Sequence, residues 1–167
     1  GLIADEKQIT PEQLRQWAEE AAWMMISEYI VAWVASESPH GWALGLEWIE
    51  SDEEKIAAGG WSTLSSWVSI RPDAELDMPH LSQLLDRVAD NIHQSPNRAR
   101  YAMNGFVIAI GSYVPALTEK ALETAQKIGK VLVYTGKTAC KVPLATEYID
   151  KVRSTDRVGV KRKMARC

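Results

Sequence analysis

Apolar residues recur along this chain at helical spacing. In 79–93, Leu81, Leu84, Leu85, Val88 and Ile92 fall on one stripe. In 97–114, Ala102, Met103, Phe106, Val107, Ile110, Tyr113 and Val114 form a second. In 54–70, Ile56, Gly60, Trp61, Leu64, Trp67 and Val68 form a third. Over 41–50, Trp42, Leu44, Leu46, Trp48 and Ile49 cover most of the circumference, which predicts a short, well-buried helix. Helices are expected near 11–24, 25–36, 39–50, 52–70, 78–94, 96–113, 116–128 and 143–154. One segment leaves this period. Val131-Leu132-Val133-Tyr134 is β-prone, Thr135-Gly136-Lys137 resembles a turn, and Thr138 to Val142 can return as a strand. A small β-hairpin near 130–142 follows from that pattern.

Helix starts share one chemistry. Thr10-Pro11-Glu12-Gln13 predicts an N-cap, a proline at the first helical position and a capping-box glutamine. Ser38-Pro39, Ser95-Pro96 and Asp77-Met78-Pro79 predict similar starts, and Ser51-Asp52-Glu53-Glu54 a capping box without proline. A small oxygen side chain accepts from orphan backbone N–H groups, and proline loses nothing where the N–H is unpaired. Many such helices, in antiparallel pairs with short loops, predict an all-α protein, an α-solenoid of HEAT or armadillo type. A compact helical bundle is the alternative. Residues 1–167 read as one domain. Gly1-Leu2-Ile3-Ala4-Asp5 resembles the end of an apolar helix, so upstream repeats are expected to be missing.

Composition narrows the function. With 46% hydrophobic and 25% charged residues the chain has an ordinary globular balance. No apolar run reaches the ~18 residues of a membrane span. Neither does any secretory leader show. Two cysteines, Cys140 and the last residue Cys167, favour a reducing, cytoplasmic setting over a disulfide. The net charge of −3 hides an asymmetry. Residues 1–117 hold 7 Lys and Arg against 17 Asp and Glu; residues 118–167 hold 12 against 5. The tail from Arg157 to Arg166 contains Lys161, Arg162 and Lys163 and no acid. Such a tail either contacts phosphates or lies solvated as a frayed end. All seven tryptophans lie between Trp17 and Trp67, as large core residues or as a stacking surface for bases.

Few motifs carry enzyme chemistry on their own. Gly136-Lys137-Thr138 lacks the upstream glycine of a phosphate-binding loop, since residue 131 is Val. His40, His80, His93 and Cys140 have no metal-site spacing, so no metal and no cofactor is expected. Arg98 and Arg100 open the helix after Pro96 and make a candidate phosphate seat. Gly105 inside that helix costs about 1 kcal/mol relative to Ala. Close helix approach is the first explanation for it and close ligand approach the second.

Ala102-Met103-Asn104-Gly105-Phe106, the stretch from Thr138 through Ile149, and Leu46-Glu47-Trp48-Ile49-Glu50-Ser51-Asp52-Glu53 together resemble the DNA alkylation repair enzyme family. The likeness covers nearly the whole chain. It implies a HEAT-like repeat fold that binds DNA, in a family that includes glycosylases for methylated purines. It also implies that about the first third of a typical member is absent. In the glycosylases a Trp-x-x-x-Asp element and a second Trp flank the damaged nucleotide. The aromatic faces attract the cationic base, and the carboxylate stabilises charge on the sugar. Carried over, the resemblance puts the first Trp at Trp23, the carboxylate at Ser27 and the second aromatic at Phe106, with a family Arg falling near Ala58. Serine has no charge. Glu28, the next residue, would be turned ~100° around an α-helix.

The candidate catalytic set is therefore Trp23, Ser27, Glu28 and Phe106. The candidate DNA contacts are Arg98, Arg100, Lys137, Lys161, Arg162 and Lys163. The expected partner is DNA, either a duplex with an alkylated purine or a branched structure. Three functions compete: an alkylpurine glycosylase, a non-catalytic module for branched or damaged DNA with the hairpin as a wedge, and a protein-binding solenoid. The acidic balance of residues 1–117 favours the last, because a DNA channel should be basic.

Overall fold

The computed structural model describes residues 5–136 and 141–166. Its regular elements there are α1 (Pro11–Glu20), α2 (Ala32–Glu37), α3 (Gly41–Trp48), α4 (Glu54–Ile70), α5 (Met78–Asn91), α6 (Asn97–Tyr113), α7 (Thr118–Ile128) and α8 (Ala145–Arg153). A π-helical stretch, Ile26–Val31, leads into α2, and 3-10 turns at Asp73–Glu75 and Pro115–Leu117 precede α5 and α7. The periodic stripes of the sequence thus become helices at the expected places, most ends within four residues, while the helix expected over 25–36 divides into the π-helical stretch and α2.

The helices form two layers. In one, α4 packs on α6 and α6 on α8, while the π-helical stretch and α2 cover the other side of α4. The other holds α3, α5 and α7: α3 packs on α4, α7 on α6, and α5 on α7. This is the stacking of a helical-repeat protein. α5 and α6, neighbours in sequence, touch only lightly; each is held mainly by helices further away. One apolar core runs from α4 to α8 around Leu64, Leu81, Leu85, Phe106 and Ile110. A smaller one, with Leu14, Val31, Val34, Leu44 and Trp48, sits under the N-terminal helices.

Two glycines mark opposite demands. A Cβ on Gly60 would stand 2.7 Å from the backbone nitrogen of Ile49, so α3 and α4 approach through that position. A Cβ on Gly105 would meet nothing within 4 Å, which removes helix packing as the reason for that glycine. Gly105→Ala should therefore stabilise the fold by up to ~1 kcal/mol through helix propensity. Gly60→Ala should destabilise it by about 1–3 kcal/mol through overpacking against backbone. Chemical denaturation of both variants checks the contrast; the same effect in both, or the reverse signs, would overturn the packing argument.

Helix starts follow the sequence in part. Thr10 makes the full capping box with Gln13, and Asp77 accepts from the His80 N–H at 3.0 Å. Ser38 accepts from the His40 N–H at 3.2 Å while donating back to Ala35 O, and Ser95 donates back to Asn91 O. Ser51 accepts from the N–H of Glu53, before α4 begins. The first turn of α6 is served from another helix: the Arg98 N–H donates to the Glu54 carboxylate at 2.5 Å.

The expected β-hairpin is not present among the described residues. Val131 is buried in the main core, and Val133 and Val142 pack against it. The Asn97 side chain takes the place of a strand partner. Its amide donates to Tyr134 O at 2.9 Å and its carbonyl accepts from Tyr134 N at 2.6 Å. An apolar run anchored to a helical core, with its backbone bonded to a side chain, needs no ladder. Residues 137–140 lie outside the described residues.

The basic tail is pinned rather than frayed. Gly159 N donates to Ser112 O at the end of α6. Lys161 Nζ donates to Val68 O at 2.9 Å, and Arg162 N to Ser69 O at 2.8 Å, at the end of α4. Ala165 N donates to Glu37 Oε1 at 2.7 Å at the end of α2. The tail is thus a strap across the C-terminal ends of three helices. Cations are favourable there because the carbonyl ends carry partial negative charge.

Candidate nucleic-acid interface

Four elements of one layer, the π-helical stretch, α2, α4 and α6, border a concavity of about 150 Å³. Glu28, Tyr29 and Trp33 come from the π-helical stretch and α2, Ser62, Ser65 and Ser66 from α4, and Tyr101, Ala102 and Gly105 from α6. The bare Gly105 leaves this depression open. Tyr29 packs edge-on against Trp33, with centroids 5.6 Å apart, as its i+4 neighbour. Burial raises the Tyr29 hydroxyl above the ordinary phenol range, with Tyr101 and Glu28 adding to the shift.

Glu28 is the charged centre of this wall. The wider π-helical turn directs both Ser27 and Glu28 inward, at 2% and 4% exposure. The ~100° separation expected for an α-helix does not keep Glu28 out of the interior. Its carboxylate is clamped by Arg98, with Nε at 2.8 Å from Oε1 and Nη2 at 2.5 Å from Oε2. The Arg98 guanidinium lies over the Tyr101 ring at 4.6 Å. Hydrogen bonding to Glu28 raises the Arg98 pKa further, so this cation stays charged. A fork-to-fork pair of this kind is strong and directional.

The sequence-derived candidates disperse. Trp23 is 62% exposed at the head of an apolar run, Trp23 to Ile26, and does not line the concavity. The Ser27 hydroxyl is buried and donates to Met24 O at 3.3 Å. Phe106 is fully buried and packs at 61° against Trp61, 5.2 Å away, with no face free for a base. The phosphate seat at Arg98 is filled from within the protein, by Glu28 at the side chain and Glu54 at the backbone. Arg100 is partly buried, and its Nε has no hydrogen-bond partner among the described residues. Lys161 is ion-paired to Asp73 at 2.7 Å as well as bonded to Val68 O. Lys163 is exposed, and Lys137 lies outside the described residues. The Glu50 of the Trp-Ile-x-Ser-Asp junction pairs with Arg87, giving that motif a structural part in joining α3 to α5.

Sequence reasoning missed Tyr29, Trp33 and Tyr101. The i, i+4 spacing of the first two and the i, i+3 spacing of Arg98 and Tyr101 were the available signal. Among the described residues no His, Cys, Asp and Glu cluster is arranged to hold a metal. No helix there is long and apolar enough to cross a membrane.

No known family profile matches the chain. Uncharacterized protein Lmo0209 of Listeria monocytogenes is 38% identical over 157 residues, and uncharacterized protein Lin0241 of Listeria innocua is 36% identical over the same length. The match covers 92% of this chain and 66% of each relative, so the chain spans just under two thirds of their length. A solved structure described as "a new family of proteins related to the HEAT-like repeat DNA glycosylases with affinity for branched DNA structures" aligns with a TM-score of 0.92 at 34% identity. That alignment covers 100% of this chain and 71% of the other. The two stacked layers and their concave face are those of a HEAT-like helical-repeat protein. The chain belongs to this family related to the HEAT-like repeat DNA glycosylases.

Proposed function

We infer that this chain is a DNA-binding module for branched DNA that does not release alkylated bases. The clamped Glu28 carries this reading. Excision of a cationic purine leaves positive charge on the sugar, and a nearby anion must stabilise it. Here the carboxylate beside the concavity is bonded at both oxygens to Arg98, and the pair is close to neutral. Ser27, where the resemblance places the family carboxylate, is buried and uncharged. The affinity for branched DNA of a structure that matches over the whole chain supports the binding half. Release of alkylpurines, the reading suggested by the wider family, finds no unclamped carboxylate among the described residues that line the concavity.

Two measurements on the full-length protein test this. Base release from methylated duplex should stay near the spontaneous rate for the wild type and for Glu28→Gln. A four-way junction should be bound more tightly than a duplex of equal length, with affinity falling as salt rises. Robust excision that collapses in Glu28→Gln would make Glu28 the catalytic carboxylate and end the proposal. Equal affinity for junction and duplex would end its branched-DNA half.

A further inference from the structure

The face of α6 that opens onto the concavity continues past it. Tyr101 and Gly105 line the first depression, and Ile108 and Ser112 line a second. Those four positions follow i, i+4, i+7, i+11 spacing, one stripe of one helix. At 1.5 Å per residue, Gly105 and Ser112 stand ~10 Å apart along the axis. The second cavity has a volume of about 430 Å³ and is bounded by α6, α8 and the strap. Sites for small organic ligands run from roughly 300 to 1,000 Å³.

Its chemistry is unlike that of the first depression. Lys151, Arg157, Lys161 and Arg162 contribute to its lining and no carboxylate does, in a chain of net charge −3. Lys161 is engaged by Asp73 and the end of α4, whereas Lys151 and Arg157 are solvent-exposed. Tyr148 of α8 is 52% exposed, a large aromatic ring left largely uncovered beside these cations. Ile108 and Val152 supply apolar wall. Among the described residues the buried Ser112 hydroxyl has no hydrogen-bond partner. An aromatic face, apolar walls, clustered cations and an unused hydroxyl together suit an anion that bears a flat ring. A nucleotide has that form, with stacking supplied by the base and ion pairing by the phosphate.

We propose that this cavity holds one unpaired nucleotide of a bound DNA strand, its base against Tyr148 and its phosphate beside Lys151 and Arg157. The proposal rests on the DNA-binding reading above and deepens it. A flap or an open junction supplies an unpaired nucleotide, and a fully paired duplex does not. The stripe on α6 places the cavity next along the surface from the concavity.

The test uses the full-length protein, a blunt duplex, the same duplex with a short oligothymidine flap, and free thymidine monophosphate. Wild type should favour the flap over the duplex. Tyr148→Ala should weaken flap binding about tenfold, the scale of one lost base–aromatic stack, and leave duplex binding unchanged. Tyr148→Phe keeps the ring and should bind as wild type does. Lys151→Ala/Arg157→Ala should lower the salt slope for the flap by about 0.7, the single-strand value for one phosphate. Wild type that binds no DNA would overturn the functional reading itself. Wild type that binds DNA while Tyr148→Ala changes nothing, or weakens flap and duplex alike, would overturn the nucleotide cavity alone. Loss in Tyr148→Phe equal to that in Tyr148→Ala would overturn the stacking contact. Tight binding of thymidine monophosphate that flap DNA does not compete away would reassign the cavity to a free nucleotide.

Discussion

Glu28→Leu should lower the stability of this protein by about 3 kcal/mol, the lower end of the range for breaking a buried ion pair. For a chain of this size that is a fall of roughly 6–12 °C in melting temperature. The cause is the partner left behind. Arg98 is only 17% exposed at its side chain, and without Glu28 its guanidinium loses the carboxylate that clamps it in the layer between α2, α4 and α6. Arg98→Leu should cost a similar amount for the mirror reason. The double variant Glu28→Leu/Arg98→Leu should recover most of the loss, since apolar replacement of a buried pair is often close to neutral. Thermal melts of the four proteins form a double-mutant cycle. Simple addition of the two single losses would show that the residues act independently and that the clamp has no energetic meaning.

Phe106→Ala should be the other severe change, at about 3–5 kcal/mol. The ring is fully buried in the main core and packs against Trp61, so its removal opens a cavity between α4 and α6. Below the melting transition the folded variant should bind DNA much as wild type does. Trp23→Ala should do little to stability, within about 0.5 kcal/mol, because that ring lies mostly in solvent. A Phe106→Ala protein of normal stability that has lost DNA affinity would place the ring on the DNA face. The family position carried over to Phe106 would then be right and its burial irrelevant.

The helices were legible because their apolar stripes are long and regular. α5, with Leu81, Leu84, Leu85 and Val88 on one side, shows this most clearly. The π-helical stretch was not, since its apolar spacing differs little from that of an α-turn over six residues. Its effect on the site is large, because it buries Ser27 and Glu28 together. The hairpin was read from β-propensity, which reports fit to a half-buried surface more than a ladder. Val131 found such a surface on helices instead. Glu28 and Arg98 are 70 residues apart, and Arg98 and Glu54 are 44 apart. No local pattern encodes those pairs; the stacking of α2, α4 and α6 brings them together. Counting charge in the tail was sound, but charge alone does not distinguish a phosphate from the carbonyl end of a helix.

The strap has a consequence for how this protein comes apart. A helical-repeat array holds itself together through neighbour contacts, so it can fray from either end while its middle stays folded. Here Lys161 bonds Val68, 93 residues earlier, and Ala165 bonds Glu37, 128 residues earlier. Opening the N-terminal pair of helices therefore strips the last residues, and detaching the last residues uncovers the ends of α2, α4 and α6. Fluctuations at the two ends are coupled, and the array should lose its structure as one cooperative unit. Contacts this distant in sequence also form slowly, because long loops must close before they are rewarded. Docking of the strap is thus the least local step in completing the fold.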